Sequence, residues 1–92
     1  IESESLTLQH QAQAHYNRAN AYHYSGAYEK AVEDYSEAIR NNPQFPGAFY
    51  NRGFAHQARG DETAALADFS AARDLGWQRL GVRAPDVPPP RR

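Results

Sequence analysis

An all-α fold of two helical hairpins, four antiparallel helices forming an α-solenoid fragment, follows from three features of this 92-residue chain. The sequence repeats itself at an offset of 34 residues. Within each unit the apolar residues recur at helical spacing. A glycine also stands in the middle of each unit, Gly26 and Gly60, where one helix must turn back on the next.

The repeat is read from identities. At the 34-residue offset Ala14 meets Ala48, Tyr16-Asn17-Arg18 meets Tyr50-Asn51-Arg52, and Ala21 meets Ala55. Gly26/Gly60, Ala31/Ala65, Asp34/Asp68, Ser36/Ser70 and Ala38/Ala72 complete ten identities over thirty pairs. Average composition would supply roughly two.

The elements follow in order. Residues 1–11 extend the first helix, which is expected over about Ser5–Tyr24. Gly26 ends it as a left-handed C-terminal cap. Tyr28, Ala31, Val32, Tyr35, Ala38 and Ile39 then form one apolar stripe of a second helix. Asn41-Asn42-Pro43 closes the first unit, residues 12–45. Pro46 suits the first turn of a third helix, expected over about Pro46–Arg59. Gly60 ends that helix, and Asp61 is placed to cap a fourth over 62–75, with Ala65, Leu66, Phe69 and Ala72 as its stripe. The second unit is therefore 46–76.

Arg18 lies eight residues before Gly26 and Asp34 eight after it; Arg52 and Asp68 flank Gly60 in the same way. At about 1.5 Å per residue, both members of each pair stand about 12 Å from the turn, level on neighbouring antiparallel helices. An Arg–Asp bridge locking the register is expected in each hairpin. As an exposed pair it would contribute only about 0–1 kcal/mol.

With its period and its small and aromatic signature positions, the unit resembles the tetratricopeptide repeat (TPR). Unit 1 carries Ala19, Tyr22, Ala31, Tyr35, Ala38 and Pro43 at six of the eight family positions, with His15 and Arg18 replacing Trp and Leu. Unit 2 carries Gly53, Ala65, Phe69 and Ala72, and Phe49 stands in for Trp; His56 replaces the Tyr and Trp77 the Pro. The small residues let paired helices approach closely, Ala19/Gly53 and Ala31/Ala65 within a hairpin and Ala38/Ala72 where units stack.

Several function classes drop out. The chain has no Cys, which removes disulfides, thiol catalysis and zinc–thiolate sites and fits a cytoplasmic protein. No apolar run approaches the roughly 20 residues of a membrane span, so no membrane partner is expected. Residues 1–76 hold six basic against ten acidic side chains, net −4, while the remainder holds four against one, net +3. An acidic body is a poor ligand for nucleic acid, where affinity rests on neutralising phosphates. His10, His15, His23 and His56 show no metal-ligand spacing, and no phosphate loop or nucleophile motif is present. His15 and His56 stand where the repeat has buried aromatics and read as structural. Neither an enzyme nor a cofactor is expected.

The ends of the array need cover. Pro85, Pro88, Pro89 and Pro90 forbid a further helical unit, so residues 77–84, with Trp77, Leu80 and Val82, are the candidate lid. Residues 85–92 read as a Pro/Arg-rich disordered tail or linker; Pro85 and Pro88 also form a PxxP that an SH3-type domain would take. The lack of a Met at the start fits a piece cut from a longer protein.

The resemblance implies a protein–protein interaction module whose ligand lies in a concave groove lined by the first helix of each repeat. The positions that line it in TPR domains are Gln13, Tyr16, Asn17, Asn20, His23 and Tyr24 in unit 1, and Gly47, Tyr50, Asn51, Phe54, Gln57 and Ala58 in unit 2. Asn, Gln and Tyr can pair with a peptide backbone while aromatic rings cover its side chains. Asn20 and Asn51 stand at the two Asn positions with which co-chaperone TPR domains grip a chaperone's terminal carboxylate. Tyr16 replaces that clamp's first Lys and a third repeat is lacking, so the complete clamp is absent. Asn51 can equally serve only its own hairpin. The expected partner is a peptide or protein; the alternative is a homodimer made through an uncovered terminal helix face.

Overall fold

The computed structural model describes the backbone of residues 2–80 and the side chains of residues 7–76. Its elements are α1 (Glu2–Tyr24), α2 (Tyr28–Asn41), α3 (Pro46–Ala58) and α4 (Glu62–Leu80). No strand occurs among the described residues. α1 pairs with α2 and α3 with α4 as two hairpins; α3 also lies along α2, while α1 and α3 touch at few points.

Both hairpin turns have the same cause. Gly26 and Gly60 take φ of +86° and +89°, the left-handed region where a Cβ is strained. Each completes the same pair of closing bonds. Gly26 N donates to His23 O and Ala27 N to Tyr22 O; Gly60 N donates to Gln57 O and Asp61 N to His56 O. These satisfy carbonyls that the helix end would otherwise leave bare. Asp61 then caps α4, its Oδ1 accepting from Ala64 N at 3.2 Å. Ala27, in the same place before α2, offers no side-chain cap.

α1 and α3 match their expected ranges to within three residues, and α4 does not. α4 continues through Gly76 and Trp77 to Leu80 instead of ending at 75. The first unit ends at Asn42-Pro43, but the matching residues of the second are Gly76-Trp77, and neither forbids a helix. The first part of the candidate lid is thus helical backbone continuous with α4. The side chains of Trp77 and Leu80, and all of Val82 and the PxxP tail, lie outside the described residues.

The core is built mainly from alanine. Ala12, Ala19, Ala31, Ala38, Ala48, Ala55 and Ala65 are almost wholly buried, and Tyr35 is the largest side chain fully enclosed. Tyr22, Tyr28, Val32, Ile39 and Phe45 are half-buried against this cluster. Small side chains bring the helix axes close, so packing is tight although each residue removes little apolar area from water.

Candidate functional site

The frame of the site is two carboxylate clasps. Asp34 accepts from Arg18 Nε at 2.6 Å and from Arg18 Nη2 at 2.8 Å. Asp68 accepts from Arg52 Nε at 2.8 Å and from Arg52 Nη2 at 2.7 Å. Both bridges expected from the spacing are present, but the carboxylates are not exposed: Asp34 and Asp68 retain 4% and 5% of their accessible surface. A bidentate pair on a buried carboxylate is stronger than an exposed one, and costly to break from one side. The Arg18 hydrogen bonds hold the Asp34 carboxyl below the usual carboxylate range; burial opposes this, and the contact with His15 adds to it. The same bonds raise Arg18.

Each clasp has a histidine and an aromatic ring beside it, in opposite order along the helix. His15 Nδ1 lies 3.2 Å from Asp34 Oδ1, and the Arg18 guanidinium lies 5.9 Å from the centroid of Tyr22. In the second unit Arg52 lies 5.5 Å from the ring centroid of Phe49, and His56 Nε2 is 3.7 Å from Asp68 Oδ2. The positions where His15 and His56 break the repeat pattern therefore hold structural residues beside the carboxylates.

The expected groove residues divide into groups. Tyr16, Asn20 and Asn51 meet at the junction of the repeats. Asn51 Nδ2 donates to Tyr16 Oη at 3.0 Å and to Asn20 Oδ1 at 3.1 Å, and Asn20 Oδ1 also accepts from Tyr35 Oη. Asn51 thus serves the neighbouring hairpin rather than its own. The Tyr16 ring leans on Phe45, 4.7 Å between centroids. Its hydroxyl would be 3.2 Å from a Cβ added at Gly47, so any larger residue there would push the ring back by a few tenths of an ångström. Burial, then the neighbouring Tyr16, pushes the Tyr35 phenol up to about 12.

A second group is apolar. Tyr50 and Phe54, each 41% exposed, stand edge-on to each other at 5.1 Å between centroids and share Phe69 on α4 at 5.5 and 5.0 Å. Phe69 was not among the expected groove residues. It is a signature core position, but its ring is only half-buried. The remaining residues lie along the two helices. Gln13 Nε2 donates to Asn17 Oδ1 at 3.0 Å on the exposed side of α1. His23 and the largely exposed Tyr24 form an edge-on pair at 5.8 Å, and His23 Nδ1 is buried without a hydrogen-bond partner. Gln57 is half-buried near the end of α3. None of these ten side chains is an acid, a lysine or an arginine.

Two helix-turn-helix units of equal length, stacked with matching clasps and matching glycine turns, define a helical-repeat protein. A family model described as TPR repeat matches residues 19–60, from the last six residues of α1 through the end of α3. Together with the two stacked hairpins, this match supports assigning the chain to the tetratricopeptide repeat family, whose members mediate protein–protein interactions. No described helix is long and apolar enough to cross a membrane, and the described residues hold no group of three or more acidic or histidine side chains able to hold a metal.

Proposed function

We propose that the chain is an adaptor that captures an extended segment of a protein or peptide partner across the face of α1 and α3, within a cytoplasmic scaffold. The observation that carries this is the exposed Tyr50–Phe54 pair beside a face rich in amides and free of formal charge. Aromatic side chains are enriched at interfaces, and amides such as Gln13, Asn17 and Gln57 supply donors and acceptors for a backbone. An uncharged face favours a segment bearing apolar or aromatic side chains over a terminal carboxylate. Asn20 and Asn51 contribute by holding Tyr16 and the junction in place, since Asn51's amino group is already bonded within the fold.

Panning a displayed peptide library on the wild type and on a Tyr24→Ser/Phe54→Ser variant of equal helicity tests this. Enrichment of uncharged, aromatic-bearing peptides by the wild type alone supports the reading. Equal enrichment by both, or selection of acidic C-terminal peptides, sinks it.

A further inference from the structure

The junction between the two units is an interface with two unlike halves, and the chain carries a second copy of each half. On the α3 side, Ala48 and Ala55 are completely buried, Asn51 reaches Tyr16, and Arg52 Nη1 donates to Ser36 Oγ of α2 at 3.1 Å. On the receiving side stand Tyr16 and Ser36. At the 34-residue offset, the α3 half recurs on α1 as Ala14, Asn17, Arg18 and Ala21, identical at every position. The receiving half recurs on the second unit as Tyr50 and Ser70, again identical.

Both recurrences lack the contact that their counterparts make. Ala14 and Ala21 are exposed where Ala48 and Ala55 are enclosed. Arg18 is 61% exposed where Arg52 is 22%, and its Nη1 is uncommitted, since Nε and Nη2 hold Asp34. Leu66, the counterpart of the half-buried Val32, is 51% exposed, and Tyr50, Phe54 and Ser70 are exposed beside it.

We infer that the occupant of these two faces is a second copy of this chain, stacked head to tail so that α1 of one copy lies on the second unit of the next as α3 lies on the first. The contact repeats an interface the fold already makes. Arg18 Nη1 donates to Ser70 of the neighbour and Asn17 to its Tyr50. The helix overhangs are compatible with this. α1 starts ten residues before the position equivalent to the start of α3, and α4 runs five past the equivalent of the end of α2. Both overhangs lie at the same end and run side by side, antiparallel, in the stacked pair. Five features of the internal junction are not reproduced. Asn20 becomes Phe54, Tyr35 becomes Phe69, Ile39 becomes Arg73, Gly47 in its close approach to Tyr16 becomes Gln13, and the Arg59–Glu29 ion pair becomes Ser25 and Thr63. The association is therefore weaker than the covalently tethered junction. Because the halves are unlike, the contact is heterologous and leaves a free face at each end.

Sedimentation of the full chain from micromolar to millimolar concentration tests this, with Ala21→Arg and Ser70→Arg as variants at exposed helical positions. Neither is among the ten face residues proposed to hold a partner segment; Asn17, Tyr50 and Phe54 belong to both contacts, so a second copy and a partner segment would compete for them, and mass and peptide enrichment test the two readings separately. The weight-average mass of the wild type is expected to rise from 10.3 kDa to at least twice that value. Each variant alone stays monomeric with unchanged helicity. Their equimolar mixture forms a one-to-one dimer, because each supplies the half that the other lacks. A monomeric wild type overturns the proposal, and contacts in its nuclear Overhauser spectra from Tyr50 or Phe54 to residues beyond Leu80 would then assign the cover to the chain's own tail. Association retained by either variant alone overturns it in favour of a symmetric contact.

Discussion

Arg52 clasps Asp68 through two hydrogen bonds in the same bidentate form that Arg18 makes with Asp34, yet the two arginines differ nearly threefold in exposure, 22% against 61%. The sequence relationship is identical and the surroundings are not. Arg52 is enclosed because α3 lies between α2 and α4, whereas α1 has α2 as its main neighbour.

Removing one partner from these clasps therefore has unequal consequences. Asp68→Ala leaves Arg52 half-enclosed without its carboxylate and is expected to cost about 2–4 kcal/mol. Asp34→Ala is expected to cost less, because Arg18 returns to water. Urea unfolding of both variants checks this; equal losses would contradict it.

The same carboxylate sets the acid limb of stability. Asp34 has a folded pKa below that of an unfolded Asp, about 3.9. Its contribution is present above that value and is lost as pH falls through the folded pKa. Tyr35 acts in the opposite direction: with its phenol raised to about 12, its contribution holds below an unfolded Tyr's pKa of about 10 and is lost between the two. Urea midpoints against pH are expected to fall at both extremes, with Asp34→Asn flattening the acid limb and Tyr35→Phe the alkaline one.

Gly53→Ala exchanges a poor helix former for the best one and is still expected to destabilise. An added Cβ would lie 2.6 and 2.8 Å from the Phe69 ring and 3.2 Å from the Ala65 carbonyl oxygen. The overpacking, about 1–3 kcal/mol, exceeds the roughly 1 kcal/mol gained in propensity. A raised melting temperature would show that Phe69 yields freely.

Asn17 and Asn51 occupy equivalent positions and are expected to respond differently. Asn51→Ala removes the two hydrogen bonds that Asn51 itself makes across the repeat junction, a loss of about 1–2 kcal/mol. Asn17, bonded only to Gln13 on an exposed surface, is expected to lose less than about 0.5 kcal/mol on the same change. Paired thermal melts of the two single variants compare them directly.

Much of this is legible in the sequence alone. The 34-residue identities, the glycine turns, the Asp61 cap and the Arg–Asp register all rest on local chemistry or on spacing from a turn. Burial was harder to read. Asp34 and Asp68 look like surface acids in the sequence, and only the alanine-mediated approach of the helices encloses them. Asn51 shows the same limit in another form, because a helical position fixes the face but not which neighbour a side chain reaches. The extension of α4 to Leu80 has no sequence signal, because Pro43 marks the end of the first unit and the Trp at the matching place marks nothing. Phe69 read as core because the pattern assumes a following helix.

The alanine core also determines how the molecule opens. α2 and α3 each have described helices on both sides, whereas α1 and α4 are flanked chiefly on one. Stability in such an array is close to a sum of unit and neighbour contributions, so partial openings are graded by position. Under deuterium exchange the amides of α2 and α3 are the last to release their protons, and those of α1 and α4 release first. The chain melts from its two edges inward rather than all at once.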